Sequence, residues 1–217
     1  MDLFSGLQPK RQLITADTYL FKGFALTNER QLLADIKSII NQAPLRHMMT
    51  KMGFNMSAAM TNCGPLGWTS DRNGYRYDLL DPLTHIPWPA MPDSFQQLAK
   101  LAARDAGFND FEPDACLINQ YRVGASMGLH QDKNELDFSQ PIVSVSLGIA
   151  AVFQFGGLLR SDKTIRIPLE HGDVVVWGGE SRLNFHGIMP LKASMSSKSH
   201  HPAFGAYRIN LTFRKAG

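Results

Sequence analysis

The chain has 217 residues, 44% of them hydrophobic and 19% charged, which is ordinary for a globular protein with one sizeable core. Its net charge of +3 suits a polyanionic partner without requiring one. No window approaches the roughly 18 uninterrupted apolar residues of a membrane span, the opening MDLFSGLQPKRQ lacks the order of a secretory signal, and Cys63 and Cys116 lie far apart in no metal-like spacing, so the pattern excludes a membrane-embedded or disulfide-rich secreted protein and points to the cytoplasm.

Taken in chain order, Leu32, Leu33, Ile36, Ile39 and Ile40 share one face of a helix over 27–42, with Thr27 or Asn28 placed to cap it. The next stretch, about 47–89, is rich in Gly, Met, Asn and aromatics and has no clear period. It reads either as a substrate-facing lid or as irregular packing over the core. Phe95, Leu98, Ala99 and Ala102 then predict a second helix over 92–106, with Pro92 in its first turn and Gly107 at its stop. From 114 onward, short β-rich runs are split by Gly, Pro and Asp. They predict strands at 115–121, 129–132, 142–148, 151–155, 164–169, 173–177, 185–188 and 207–213. The polar run 192–201 reads as an exposed loop. Helices first, then many short strands, imply an α+β, mainly β fold with a barrel or jelly-roll core.

His130-Gln131-Asp132 is the most informative tripeptide. On a strand, residues two apart point the same way, so an imidazole and a carboxylate would meet at one point. His186, at the start of a distant strand, can join them across an antiparallel barrel. Two His and one carboxylate leave three open positions on an octahedral ion, the arrangement of non-haem iron(II) oxygenases. Taken alone, His-x-Asp is common by chance. His47, His85, His171, His200 and His201 have no such partner in the pattern and read as surface or packing residues.

Along 207–214, period two separates Tyr207, Ile209, Leu211 and Phe213 from Arg208, Asn210, Thr212 and Arg214. A half-buried strand with a wet outer face explains this pattern. So does a wall that grips a dicarboxylate, because guanidinium groups bind carboxylates bidentately. Asn119 and Tyr121 would add donors from the strand before the ligand pair.

With these motifs in place, the chain resembles the AlkB family of iron(II)- and 2-oxoglutarate-dependent dealkylases. The resemblance is carried by Asn119-x-Tyr121, Gly124, His130-Gln131-Asp132-Lys133, the run from Ile142 to Gly148, and Phe153-Gln154-Phe155-Gly156-Gly157. It continues through Glu170 to Gly179, Ser181-Arg182-Leu183, His186-Gly187-Ile188 and Arg208-x-Asn210-x-Thr212-x-Arg214, with Ser57 to Gly64 and Leu66 to Thr69 upstream. It implies one catalytic domain over 1–217: N-terminal helical support (1–46), a nucleotide-recognition lid (47–90), a supporting helix (91–113) and a double-stranded β-helix core (114–217). It also implies that iron(II) is held by His130, Asp132 and His186, and 2-oxoglutarate by Asn119, Tyr121, Arg208, Asn210 and Arg214, with oxygen as the second cosubstrate. Trp68 and His130 would sandwich the damaged base, and Tyr75, Thr50 and Ser57 would follow the nucleic-acid backbone. Met60, Lys133 and Arg160 match family positions near the base or cosubstrate.

The activity implied is oxidative dealkylation of N-alkylated bases in DNA or RNA, single-stranded or flipped from a duplex, releasing formaldehyde and succinate; a monomer is the simplest expectation for the chain. One departure bears on the lesion: the bacterial family member that the chain resembles has an aspartate after the lysine, and here Asn134 stands there. A carboxylate only accepts hydrogen bonds, whereas an amide also donates. Two rival readings share the same residues. One is a 2-oxoglutarate oxygenase acting on a small molecule or protein, the other a metal-binding nucleic-acid module without catalysis.

Overall fold

Apolar spacing produces the two expected helices, α1 (Glu29–Gln42) and α2 (Asp93–Asp105), in a computed structural model that describes residues 11–192 and 204–217. The 192–201 loop with His200 and His201, apart from Lys192, lies outside the described residues, as does most of the opening segment. α1 buries Leu32, Ile36 and Ile39. Its start corrects the expected cap: a 3-10 turn over Phe24–Asn28 leads in, and Asn28 makes no side-chain capping bond. Pro92 stands at the N-cap of α2, and Gly107, at φ +103°, ends it in a conformation that glycine adopts without a Cβ clash.

Six strands do not announce themselves in the sequence: β1 (Arg11–Thr15), β2 (Thr18–Phe21), β3 (Arg46–Met49), β4 (Asn55–Cys63), β5 (Gly67–Asp71) and β6 (Gly74–Asp78). Residues 1–46 thus supply a β-hairpin as well as a helix. The stretch without a period is largely strand. In β4 every residue from Met60 to Cys63 is buried, so no polar face marks the alternation. The later strands lie close to expectation: β7 (Ala115–Arg122), β8 (Met127–His130), β9 (Ile142–Gly148), β10 (Ala151–Phe155), β11 (Ile165–Leu169), β12 (Val174–Trp177), β13 (His186–Ile188) and β14 (Tyr207–Arg214). β8 is the exception that matters, because it stops at His130 and leaves Asp132 in the following loop.

An eight-stranded sheet runs β1-β2-β12-β9-β14-β7-β4-β3, and a four-stranded sheet runs β11-β10-β13-β8. β5 and β6 form a separate hairpin. Alternate residues of the large sheet serve two layers. Cys116, Ile118, Val143, Val145, Leu211 and Phe213 pack in the core with α1 and α2, where Phe95 meets Phe213 edge to face at 5.7 Å. Leu117, Tyr121, Ile142, Val175 and Trp177 join a second core with Phe153, Phe155 and Ile188 of the small sheet. This two-sheet arrangement is the expected jelly roll. Both faces of the large sheet are covered, so β14 has no wet side: Arg208, Asn210, Thr212 and Arg214 are all buried. Cys63 and Cys116, distant in sequence, are cross-strand partners, and both are free thiols. Burial, with Cys63 alongside, pushes the Cys116 thiol well up, which keeps it protonated. Among the described residues no helix is long and apolar enough to cross a membrane.

Candidate metal centre and cosubstrate pocket

β8 and β13 pair antiparallel with His130 directly opposite His186. The strands can approach because residue 187 is glycine; a Cβ there would lie 2.7 Å from the Met127 carbonyl oxygen. The two imidazoles stand 4.4 Å apart between centroids, and their other ring nitrogens are held: Nδ1 of His130 by the Gly128 carbonyl and Nδ1 of His186 by the Asn184 carbonyl, each at 2.9 Å. Nε2 of each ring is left toward Asp132, at 3.6 Å for His130 and 3.7 Å for His186. One ligand atom from each of the three lies within 4.8 Å of the others.

Asp132 reaches this point from a loop, not from the strand face that the tripeptide suggests. Arg182 replaces the ladder: its Nη1 donates to the Asp132 carbonyl (2.8 Å), Nε to the Gln140 carbonyl (2.9 Å) and Nη2 to Glu135 Oε2 (3.2 Å). Gln131 anchors the same loop by donating to the Leu183 carbonyl at 2.7 Å.

The electrostatics suit a divalent cation. Burial and the neighbouring His186 push the His130 pKa down to about 4, so its ring is neutral with a lone pair to give. Burial opposes charge on Asp132, but Arg214 and the two imidazoles hold its carboxyl well below the usual range. A carboxylate and two imidazoles fixed by carbonyls behind them are a donor set for iron(II).

The cluster opens into a cavity of about 190 Å³ between the two sheets and the β5–β6 hairpin. Arg208 lies on its large-sheet wall, 1% exposed, with its guanidinium 5.1 Å from the Tyr121 ring centroid. Its Nη2 donates to Ser146 Oγ (3.0 Å), but Nε and Nη1 have no partner, nor has Nη1 of Arg214 or Oδ1 of Asn119. The three guanidinium nitrogens are buried donors without acceptors, which is costly, and a dicarboxylate between the two arginines would satisfy them. The residues therefore fit 2-oxoglutarate. Burial lowers the Arg208 pKa, although a guanidinium stays charged.

The other expected residues sort by position. Arg214 gives Nε (3.0 Å) and Nη2 (2.7 Å) to Asp132 Oδ2, so most of its fork serves the carboxylate of the candidate metal cluster. Asn210 already donates to Ser144 Oγ and the Val145 carbonyl and accepts from Thr212, which makes it a brace of the wall. Met60, Trp68, Tyr75 and Asn134 line the cavity, and Trp68 stacks on Tyr75 at 5.6 Å and 14°. Thr50, Ser57, Lys133 and Arg160 do not line it. Thr50 closes the β3–β4 turn by accepting from the Phe54 N–H, and Ser57 donates to the Ser126 carbonyl. Arg160 donates to the Leu129 carbonyl at 2.7 Å, and Lys133 is exposed. His171 is structural, accepting from the Gly148 N–H and lying 3.0 Å from Glu29. Ser144, Ser146, Tyr77, Glu135 and Arg182 were not singled out as site residues in the sequence. The serines alternate with valines in β9, which is the signal that could have placed them.

A family model described as the 2OG-Fe(II) oxygenase superfamily matches residues 17–214. The chain is 54% identical over 217 residues to the alpha-ketoglutarate-dependent dioxygenase AlkB of Escherichia coli (strain K12), covering 100% of this chain and 98% of that one. It is 35% identical over 168 residues to a DNA N(6)-methyladenine demethylase ALKBH1A of Arabidopsis thaliana, covering 69% and 47%. The solved structure titled "The structure of OsALKBH1" superposes with a TM-score of 0.81 at 28% identity, covering 95% of this chain and 100% of that one. Fold, donor set and relatives agree: the chain is an iron(II)- and 2-oxoglutarate-dependent dioxygenase belonging to the AlkB family within the 2OG-Fe(II) oxygenase superfamily.

Proposed function

We propose that this enzyme oxidatively dealkylates N-alkylated bases in DNA or RNA and so directly reverses alkylation damage. The observation that carries the reading is one cavity holding three things: the His130, Asp132, His186 cluster, two arginines with unpartnered donors, and the stacked Trp68–Tyr75 pair. A relative named as a DNA demethylase supports the nucleic-acid substrate.

Iron(II) with 2-oxoglutarate and oxygen supplies the oxidation of the alkyl carbon, which leaves as an aldehyde (formaldehyde for methyl) alongside succinate and carbon dioxide. The protein's part is holding and excluding. His130, Asp132 and His186 would hold the iron. Arg208, Arg214, Asn119 and Tyr121 would hold 2-oxoglutarate, with Asn210 bracing their wall. Trp68 and the open edge of His130 would sandwich the base, a contact worth about 1–3 kcal/mol, with Met60 and Asn134 at its margins. Tyr75, Thr50 and Ser57 would follow the backbone, and Lys133 and Arg160 would offer charge to phosphates. A base in a duplex must be flipped out first, at a cost of a few kcal/mol that is smaller for a lesion that already disrupts pairing. The enzyme would do this as a cytoplasmic monomer.

The test is aerobic turnover on single- and double-stranded oligonucleotides carrying N-methylated bases, with iron(II) and 2-oxoglutarate. Formaldehyde should appear only with methylated strands, in step with succinate. His186→Ala should abolish both products and iron binding. Equal formaldehyde from unmethylated strands, or normal turnover by the variant, would overturn the reading.

A further inference from the structure

Glu135 is 5% exposed and is not one of the three clustered ligands, yet its loop meets Tyr77 of β6, Arg214 of β14 and Arg182. Its Oε1 accepts from the Tyr77 hydroxyl at 2.5 Å and lies 3.4 Å from Arg214 Nε. Its Oε2 accepts from Arg182 Nη2 at 3.2 Å. Arg182 holds the Asp132 loop, and Arg214 both grips Asp132 and keeps one free donor in the cosubstrate cavity.

Tyr77 belongs to the β5–β6 hairpin, where it is the cross-strand partner of Trp68. Cross-strand partners and residues two apart share a face, so Trp68, Tyr75 and Tyr77 lie on one side of the hairpin. The stacked pair faces the cavity, and Tyr77 ties the same face to Glu135. The hairpin has other ties: Asn62 bonds the Trp68 backbone, and Ser70 donates to the Met49 carbonyl. Those lead to β4 and β3, whereas the Tyr77 hydroxyl leads to the metal and cosubstrate side. Burial is the largest influence raising the Tyr77 pKa, so the phenol keeps the proton that it donates.

We propose that Glu135 is a positioning residue that couples the aromatic hairpin to the cosubstrate pocket, so that filling the pocket stiffens the hairpin and seating a base strengthens the grip on 2-oxoglutarate. A carboxylate placed between Arg208 and Arg214 draws on the same guanidinium that Glu135 orients, and Glu135 passes that order to Tyr77. Coupling of this kind is reciprocal and typically amounts to about 5–150-fold in affinity. The proposal rests on the reading of the cavity as a cosubstrate and base site, but its first test needs no nucleic acid.

Amide hydrogen exchange of the full chain is followed over residues 67–78, with manganese(II) in place of iron, with and without 2-oxoglutarate. In the unaltered protein, 2-oxoglutarate should slow exchange in the hairpin by about fivefold or more. Tyr77→Phe keeps the ring and removes only the hydroxyl. It should still bind 2-oxoglutarate, with α1 and α2 as protected as before, while the hairpin exchanges at one rate whether or not the ligand is present. A hairpin that 2-oxoglutarate protects equally in Tyr77→Phe, or that it does not protect in the unaltered protein, overturns the proposal. The reciprocal test uses a trinucleotide carrying N1-methyladenine: it should tighten 2-oxoglutarate in the unaltered protein and leave Glu135→Gln and Tyr77→Phe unchanged. If methylated strands gave no formaldehyde while the hairpin still responded to 2-oxoglutarate, the dealkylase reading would fall and the coupling would stand.

Discussion

Arg208 and Arg214 carry the same charge on one face of one strand, yet their surroundings give them different work. Arg208 faces a buried serine, an aromatic ring and open cavity, while Arg214 is committed to Asp132. Burial opposes charge on Arg214, but the Asp132 carboxylate, with Glu135 behind it, holds its pKa above the ordinary range. Arg208→Lys should therefore raise KM for 2-oxoglutarate by about tenfold or more, because an ammonium cannot reproduce a planar fork. Initial rates across a 2-oxoglutarate series measure this, and kcat at saturation should fall much less. The triad and both arginines were legible because rare residue types recur at strand spacing. Glu135, Tyr77 and Arg182 were not, since each is an ordinary polar residue locally and only the fold brings them together. The cysteine pair was invisible for the same reason.

Among the elements, β3 shows how a short strand is secured. Arg46 donates from both terminal nitrogens to Asp81, at 2.5 and 2.6 Å, and lies over the Trp88 ring at 5.6 Å. Burial works against the Asp81 carboxylate, but Arg46 and the Leu83 N–H outweigh it, so the pKa is lowered. A lowered carboxylate pKa contributes stability that is complete above the ordinary aspartate value of about 3.9 and is lost as pH falls through the lower folded value. Asp81→Asn should cost about 1–3 kcal/mol at neutral pH, and its denaturation midpoint should converge with that of the unaltered protein in strong acid. A constant gap across pH 2–7 in urea titrations would contradict the assignment. The helices were legible from apolar spacing, and β7 to β14 from β-rich runs between breakers. β4 escaped because small and polar residues are buried on both its faces, and β3 because four residues with one buried side chain, Met48, show no alternation. The sequence pattern puts β8 two residues late, because the His130-Gln131-Asp132 alternation runs past the last ladder position at His130.

At the scale of the molecule, the site is assembled from both sheets. His130 and His186 stand on the small sheet, while Asn119, Tyr121, Arg208 and Arg214 stand on the large one. Ligands that bridge the two should stabilise the whole fold. Saturating manganese(II) and 2-oxoglutarate, each about a hundredfold above its dissociation constant, should add about 2.7 kcal/mol apiece, about 5 kcal/mol together, and raise Tm by about 10–20 °C. Scanning calorimetry checks this, and His186→Ala should lose most of the shift. The jelly-roll class was legible from the count and spacing of strands. The pairing order was not, because β2 with β12 and β4 with β7 are meetings that no local pattern encodes. β14 is the last element of the chain described, yet it lies between β9 and β7, hydrogen-bonded to both. During synthesis on the ribosome, the large sheet therefore stays divided until Tyr207–Arg214 has emerged. A polypeptide cut short before that point would be left with two raw strand edges and no cosubstrate arginines, so quality control should meet it as an unfolded chain rather than as a weakened enzyme.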